Sequence, residues 1–210
     1  MALSSRGRLE IATAILLGLV SVATAFGAYQ ATVWSVQAAS YSSISQQLRD
    51  RNLTAALSSQ LVLKDDGAKV FEAISRDAEA IAFPERAEQL AAERELLIAS
   101  ASPELATAWQ AWVESGYEQE LVPISSPGYE SALFAEPHSL RYASLVAEDL
   151  YDELQSRSDI VTTAAVIFAI ALFVLGIAGV NISLRVATAL VVAGAVALIA
   201  GSVVIALALA

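Results

Sequence analysis

Glu148, Asp149, Asp152 and Glu153 form the densest group of ionisable side chains in this chain of 210 residues. On a helix they fall three and four residues apart, so like charges face each other and repel by a few tenths of a kcal/mol per pair. A divalent cation or a basic partner would relieve that repulsion, but the oxygen-rich loop that Ca²⁺ favours is absent, and the group reads as a solvated helix face. No metal site is expected. His138, the single histidine, stands between Pro137 and Ser139 at a helix start and is read as a loop or capping residue. No glycine-rich phosphate loop, Gly-x-Ser-x-Gly elbow, His-Glu-x-x-His pair or catalytic carboxylate spacing occurs, so neither an enzyme nor a cofactor is expected. The absence of cysteine removes disulfides, thiolate chemistry and Cys-ligated metals.

A second set of residues is suited to non-covalent contact. Ala23, Gly27, Gln30, Trp34, Gln37, Tyr41, Ile44 and Leu48 follow one another at alternating four and three residues, the spacing of a coiled-coil seam. Gln30 and Gln37 are its odd members, because an amide buried without partners costs about 1–3 kcal/mol. They can fix the register of two helices, line a wet cavity, or simply face headgroups beside an aromatic belt of Tyr29 and Trp34. Arg157, by antiparallel counting, falls at the height of Thr32 to Ser35, where it can stack on Trp34, donate to Gln30 or snorkel to lipid phosphate. Ala189, Ala193, Ala197 and Gly201 form a small-residue ladder every four positions, a pattern that lets helix backbones approach closely inside a membrane. Its partner is a span of the same chain or of another copy.

The elements that must position these residues are set by three apolar runs, Ile11 to Tyr29, Ile160 to Val180 and Val186 to Ala210. Each is about 19 to 25 residues long, enough to cross a hydrocarbon core of roughly 30 Å as a helix. A 56% hydrophobic composition agrees. Arg6 and Arg8 precede the first run and Arg185 lies in the tight link between the second and third, so the positive-inside rule puts both flanks in the cytoplasm. Arg6, Arg8, the apolar run and Ala23-Thr24-Ala25 also resemble a cleavable signal, but apolar character continues through Phe26 to Tyr29, which favours a retained span. The expected layout is a cytoplasmic N-terminus (1–10), span one (11–29), an extracytoplasmic domain (30–158), span two (159–180), a cytoplasmic turn (181–185) and span three (186–210). The domain carries nine Lys/Arg against twenty Asp/Glu, a net of −11. That charge argues against nucleic acid and anionic headgroups as its partners.

No charge occurs between Ile11 and Leu48 and no breaker ends the span, so the first helix is expected to run on outside. Lys64-Asp65-Asp66-Gly67 is a turn-like cluster, read as a kink or a break. Pro84 suits the first turn of a helix to Ala99, and Ser102-Pro103-Glu104 starts another with Leu105, Trp109, Trp112 and Val113 on one face and Gly116 at its end. Tyr117 to Pro137, with Pro123, Pro127 and Gly128, reads as an irregular loop. From His138 the chain is free of Pro and Gly up to Gly176, a second long helix. The fold class expected is an all-α membrane protein with three transmembrane helices, the first two extended outward as long antiparallel helices bearing a helical extracytoplasmic domain.

The run Ala25-Phe26-Gly27-Ala28-Tyr29-Gln30-Ala31-Thr32-Val33-Trp34-Ser35, with Arg157-Ser158-Asp159 ahead of span two, resembles an uncharacterised family of small three-span bacterial membrane proteins. Its specific part is Tyr-Gln followed by Trp-Ser; Val36 stands where a glycine is expected. The resemblance implies a bacterial inner-membrane location and a helical outer domain, and implies no activity. Two functions remain open. One is a non-catalytic, self-associating scaffold or channel-like assembly with an acidic outer mouth. The other is a sensor or accessory subunit whose outer domain binds a ligand or a larger membrane complex. The partners expected are membrane lipids and either further copies of the chain or another membrane protein.

Overall fold

The computed structural model describes residues 5–116, 122–180 and 183–209, and every regular element among them is helical. The helices are α1 (Ser5–Ala82), α2 (Ala87–Ala99), α3 (Pro103–Glu114), α4 (Pro127–Leu133), α5 (Ala135–Ala178) and α6 (Leu184–Leu209), with short 3-10 turns at Pro84–Arg86 and Pro123–Ser125. α1, α5 and α6 are each long and apolar enough to cross a membrane. The chain divides into two compact units, Met1–Ile44 with Val146–Ala210, and Ser45–Leu145.

The first unit is built on three helices whose buried rows repeat every seven residues. α6 buries Ala187, Val191, Gly194, Gly201, Ile205 and Ala208. This heptad row leaves the other side of α6, with Val192, Val196 and Ile199, exposed as a lipid-facing surface would be. Its glycines are notches for α5. A Cβ on Gly201 would stand 2.4 Å from Phe168 Cε1, and one on Gly194 would stand 2.6 Å from Leu175 Cγ, with Phe168 and Leu175 both fully buried. α1 joins at Gly27, where a Cβ would meet Ile205, Val161 and Ala165 at 3.6, 3.8 and 3.9 Å. Small residues here allow backbones to approach and gain dispersion contacts. The Ser158 hydroxyl donates to the Ala31 carbonyl at 3.0 Å, a bond between α5 and α1.

In the second unit α1 and α5 again pack through small polar residues. The Ser45 hydroxyl donates to the Ser144 carbonyl at 3.3 Å and the Asn52 amide to the Pro137 carbonyl at 3.0 Å. A rise of seven residues on α1 matches a fall of seven on α5, the antiparallel register of a heptad seam. Ser59 continues the row, donating to the Leu133 carbonyl at 2.8 Å. α2, α3 and α4 then pack on the end of α1 around Val70, Ala73, Leu105, Trp109 and Tyr129. Trp109 and Trp112 meet edge to face with ring centroids 5.3 Å apart.

Two expectations are corrected here. Lys64-Asp65-Asp66-Gly67 does not break α1, which runs on as a helix to Ala82. Asp65 pairs with Lys69 one turn on at 2.8 Å, and Asp66 turns inward to buried partners, offsetting the roughly 1 kcal/mol that a mid-helix glycine costs. Likewise, the described part of Tyr117–Pro137 is not an irregular loop. It holds the Pro123–Ser125 turn, α4 and the first residues of α5, with each proline at a position that needs no N–H: Pro123 and Pro127 in first turns, Pro137 third in α5. Residues 117–121 lie outside the described residues, as do 181 and 182 of the link before span three. Other signals read as expected. Pro84 opens a 3-10 turn into α2, the Ser102 hydroxyl accepts from the Leu105 N–H at 3.1 Å, and Gly116 takes a left-handed conformation with φ +71 beyond the end of α3.

Candidate functional site

Four of the five residues read as a polar stripe converge on one groove. Trp34, Gln37 and Tyr41 of α1 face Arg157 and Glu153 of α5 across a space of about 570 Å³, floored by Leu154. The heptad seam brings them there, because it buries Ala31, Ala38 and Ser45 to half or full depth and turns the neighbouring positions to the groove rim. In the row read from sequence, Gly27 is buried; Ala23, Gln30, Trp34, Tyr41 and Leu48 are half-buried; Gln37 and Ile44 are exposed. Gln30 is not part of the groove lining. Arg157 pairs with Glu153 at 3.0 Å within one turn of α5, which holds the guanidinium at the groove edge. Aromatic faces, an amide and an ion pair can recognise a ligand or another chain, but the set contains no nucleophile with a base beside it.

The remaining acidic residues are dispersed by the helix. Asp149 and Asp152 are exposed, Glu153 belongs to the Arg157 pair, and no three metal-binding side chains converge among the described residues. His138 lies exposed in the first turn of α5, its backbone N–H donating to the Phe134 carbonyl at 3.0 Å.

The second unit holds a polar centre that sequence reading missed. Asp66 is buried and its carboxylate accepts three hydrogen bonds: from the Ser102 N–H at 3.0 Å, the Ser102 hydroxyl at 2.5 Å and the Tyr129 hydroxyl at 2.8 Å. One side chain of α1 thereby holds the N-terminus of α3 and the middle of α4. Burial, and then the bond to Asp66, push the Tyr129 phenol well above its ordinary range, so it stays a donor. Asp66 was legible in principle, since it lies seven residues beyond Ser59 on the buried row, but its neighbours Lys64, Asp65 and Gly67 read as a surface turn. Around this centre Lys69 donates to the Ser100 carbonyl at the end of α2 at 2.6 Å, and Arg76 and Arg94 tie α1 to α2 through Glu93 and Asp77 at 3.3 and 2.8 Å. Between α3 and α4 lies a cleft of about 590 Å³ walled by Ala108, Ala111, Ala132 and Tyr129, with Glu104 its one charged lining residue.

Comparison with family models, curated proteins and solved structures finds no match. What the chain does is therefore argued from its own geometry.

The small-residue ladder of α6 splits between two faces. Gly201 is buried on Phe168 and Ala197 is half-buried, whereas Ala189 and Ala193 are exposed. The close approach at Gly201 is thus made within the chain, and Ala189 and Ala193 lie on a face that no described residue covers.

Proposed function

We propose that this protein is a non-catalytic integral membrane protein that works as a self-associating scaffold, with three spans, its N-terminus in the cytoplasm and residues 30–158 outside. The arginine distribution supports the orientation, and the family resemblance supports the bacterial inner membrane. One observation carries the self-association: Leu53, Leu57 and Leu61, one turn apart on the part of α1 that follows the apolar span, are 61%, 53% and 69% exposed. They lie on the side of α1 opposite the Ser45, Asn52 and Ser59 row, so no element among the described residues competes for them. A leucine stripe on an aqueous helix is the surface that helix-to-helix association uses. A channel-like assembly would enclose its path between copies, because the bundle of a single chain is filled by Phe168, Leu175, Val161 and Val20.

A second reading has its own support. The α3–α4 cleft has the volume and largely apolar walls of a small-molecule pocket, with Glu104 to select for positive charge, and suits a sensor or accessory subunit.

Two measurements test the first reading together. Because the chain lacks cysteine, Glu93→Cys and Arg6→Cys each give a single label site; an impermeant maleimide reaches Glu93→Cys in intact cells and Arg6→Cys only after permeabilisation. Native mass spectrometry of the detergent-purified chain gives a multiple of 22.0 kDa. Labelling of both sites from one side refutes the topology, and a monomer recovered with a different membrane protein favours the accessory reading.

A further inference from the structure

The exposed stripe on α1 is symmetric in a way that selects its partner. Asp50, Leu53, Leu57, Leu61 and Lys64 are spaced three, four, four and three residues apart, all exposed, and at 100° per residue all fall within one narrow sector of the helix. Two copies packed antiparallel about Leu57 place Leu53 against Leu61 twice and Asp50 against Lys64 twice, a leucine core closed at both ends by opposite charges. Packed parallel, the same stripe sets Asp50 against Asp50 and Lys64 against Lys64. The pattern therefore favours one orientation and penalises the other.

We infer that the back of α1 docks a second copy of this chain in the antiparallel sense, with Leu57 on the two-fold axis, so that copies anchored in two apposed membranes tether them. The inference rests on the scaffold reading above and adds to it the partner, the orientation and the consequence for the membrane. α1 is one helix from its apolar span to Ala82, so antiparallel pairing of two α1 helices makes their spans point opposite ways. Each contact is small, and the many copies facing each other across two membranes multiply it.

The test uses the full-length chain, first in detergent and then in phosphatidylcholine vesicles. Under oxidation Leu57→Cys links to itself, and Leu53→Cys links to Leu61→Cys when the two variants are mixed but not to itself. Asp50→Lys and Lys64→Asp each weaken the dimer at least five-fold, and the double exchange restores it, with helical content by circular dichroism unchanged throughout. Vesicles carrying the protein cluster when viewed by cryo-electron microscopy, and vesicles without it do not. Leu53→Cys linking to itself means parallel association; that overturns the inference and leaves the scaffold reading standing. A monomer with no link at any position overturns both. Antiparallel links in detergent without vesicle clustering overturn the tethering.

Discussion

Replacing Gly201 by alanine tests the packing of α6 on α5 with a single methyl group. That Cβ would lie 2.4, 2.8 and 2.9 Å from Cε1, Cδ1 and Cζ of Phe168, against the roughly 3.5–4.0 Å of an ordinary carbon contact. The ring is fully buried and cannot swing into open space, so the helices must separate by about an ångström or Phe168 must leave its rotamer. Overpacking of this kind costs about 1–3 kcal/mol, and the better helix propensity of alanine returns about 1 kcal/mol, leaving a net loss of up to about 2 kcal/mol and a difference of about 1–3 kcal/mol from an unhindered glycine. Gly18 is the internal control. A Cβ there meets nothing within 4 Å, so Gly18→Ala is neutral or stabilising. The assay is reversible unfolding in mixed micelles by SDS titration, followed by circular dichroism. Phe168→Leu in the Gly201→Ala background recovers at least half of the loss, because the branched side chain vacates the ring edge. Equal stability of Gly201→Ala and Gly18→Ala would refute the close approach of α5 and α6.

Other outcomes follow from the second unit and from the groove. Asp66→Ala leaves the Tyr129 hydroxyl and the Ser102 N–H without their acceptor in a buried setting, and lowers the stability of this unit by about 3 kcal/mol in urea unfolding. The folded-state pKa of Tyr129 is raised, so the stability it contributes is fully present below the unfolded phenol value of about 10 and is lost as pH rises beyond it. Unfolding midpoints are accordingly flat through neutral pH and fall in alkali, and Tyr129→Phe lessens that alkaline fall; a slope starting near pH 7 would exclude Tyr129 as its source. Gln37→Leu, at an exposed groove position, changes stability by less than about 0.5 kcal/mol, whereas Ala38→Leu on the buried row costs about 1–3 kcal/mol, both read by the same unfolding assay. Arg76→Ala removes contacts to Glu72, Glu79 and Glu93 and lowers the second unit's stability by about 1 kcal/mol, a loss that shrinks in high salt.

Much of this architecture is written in local chemistry. Long apolar runs, a Ser-Pro start, a proline-led turn and a terminal glycine act through the residues that carry them, and α1, α2, α3, α5 and α6 are readable from such signals. The seam of α1 is harder. Two heptad rows share Gly27, Trp34, Tyr41 and Leu48; one fills the alternate places with Gln30, Gln37 and Ile44, the other with Ala31, Ala38 and Ser45. Hydropathy alone does not decide between them. The structure takes the second, because small residues let α5 approach and let serine hydroxyls bond to backbone carbonyls across the seam. Asp66 was obscured for a similar reason: its partners Ser102 and Tyr129 are 36 and 63 positions away. The five groove and stripe residues were found as residue types near a span end; that four of them share one groove depends on the phase of two helices at once.

The bonds linking α1 to α5 through Ser45 and Asn52 in the second unit have side-chain donors on α1 and main-chain oxygens as acceptors on α5. A carbonyl is present whatever residue occupies a position, so each bond constrains one chain's sequence and leaves the other's free. Removing residues 45–51 from α1 together with residues 138–144 from α5 would put Asn52 and the Pro137 carbonyl in the places that Ser45 and the Ser144 carbonyl leave. The arm can thus be retailored in steps of one heptad, roughly 10 Å at a time, with its joinery intact. The length of this paired segment becomes a quantity that matched insertions and deletions can adjust, with the bonds around Asp66 left as they are.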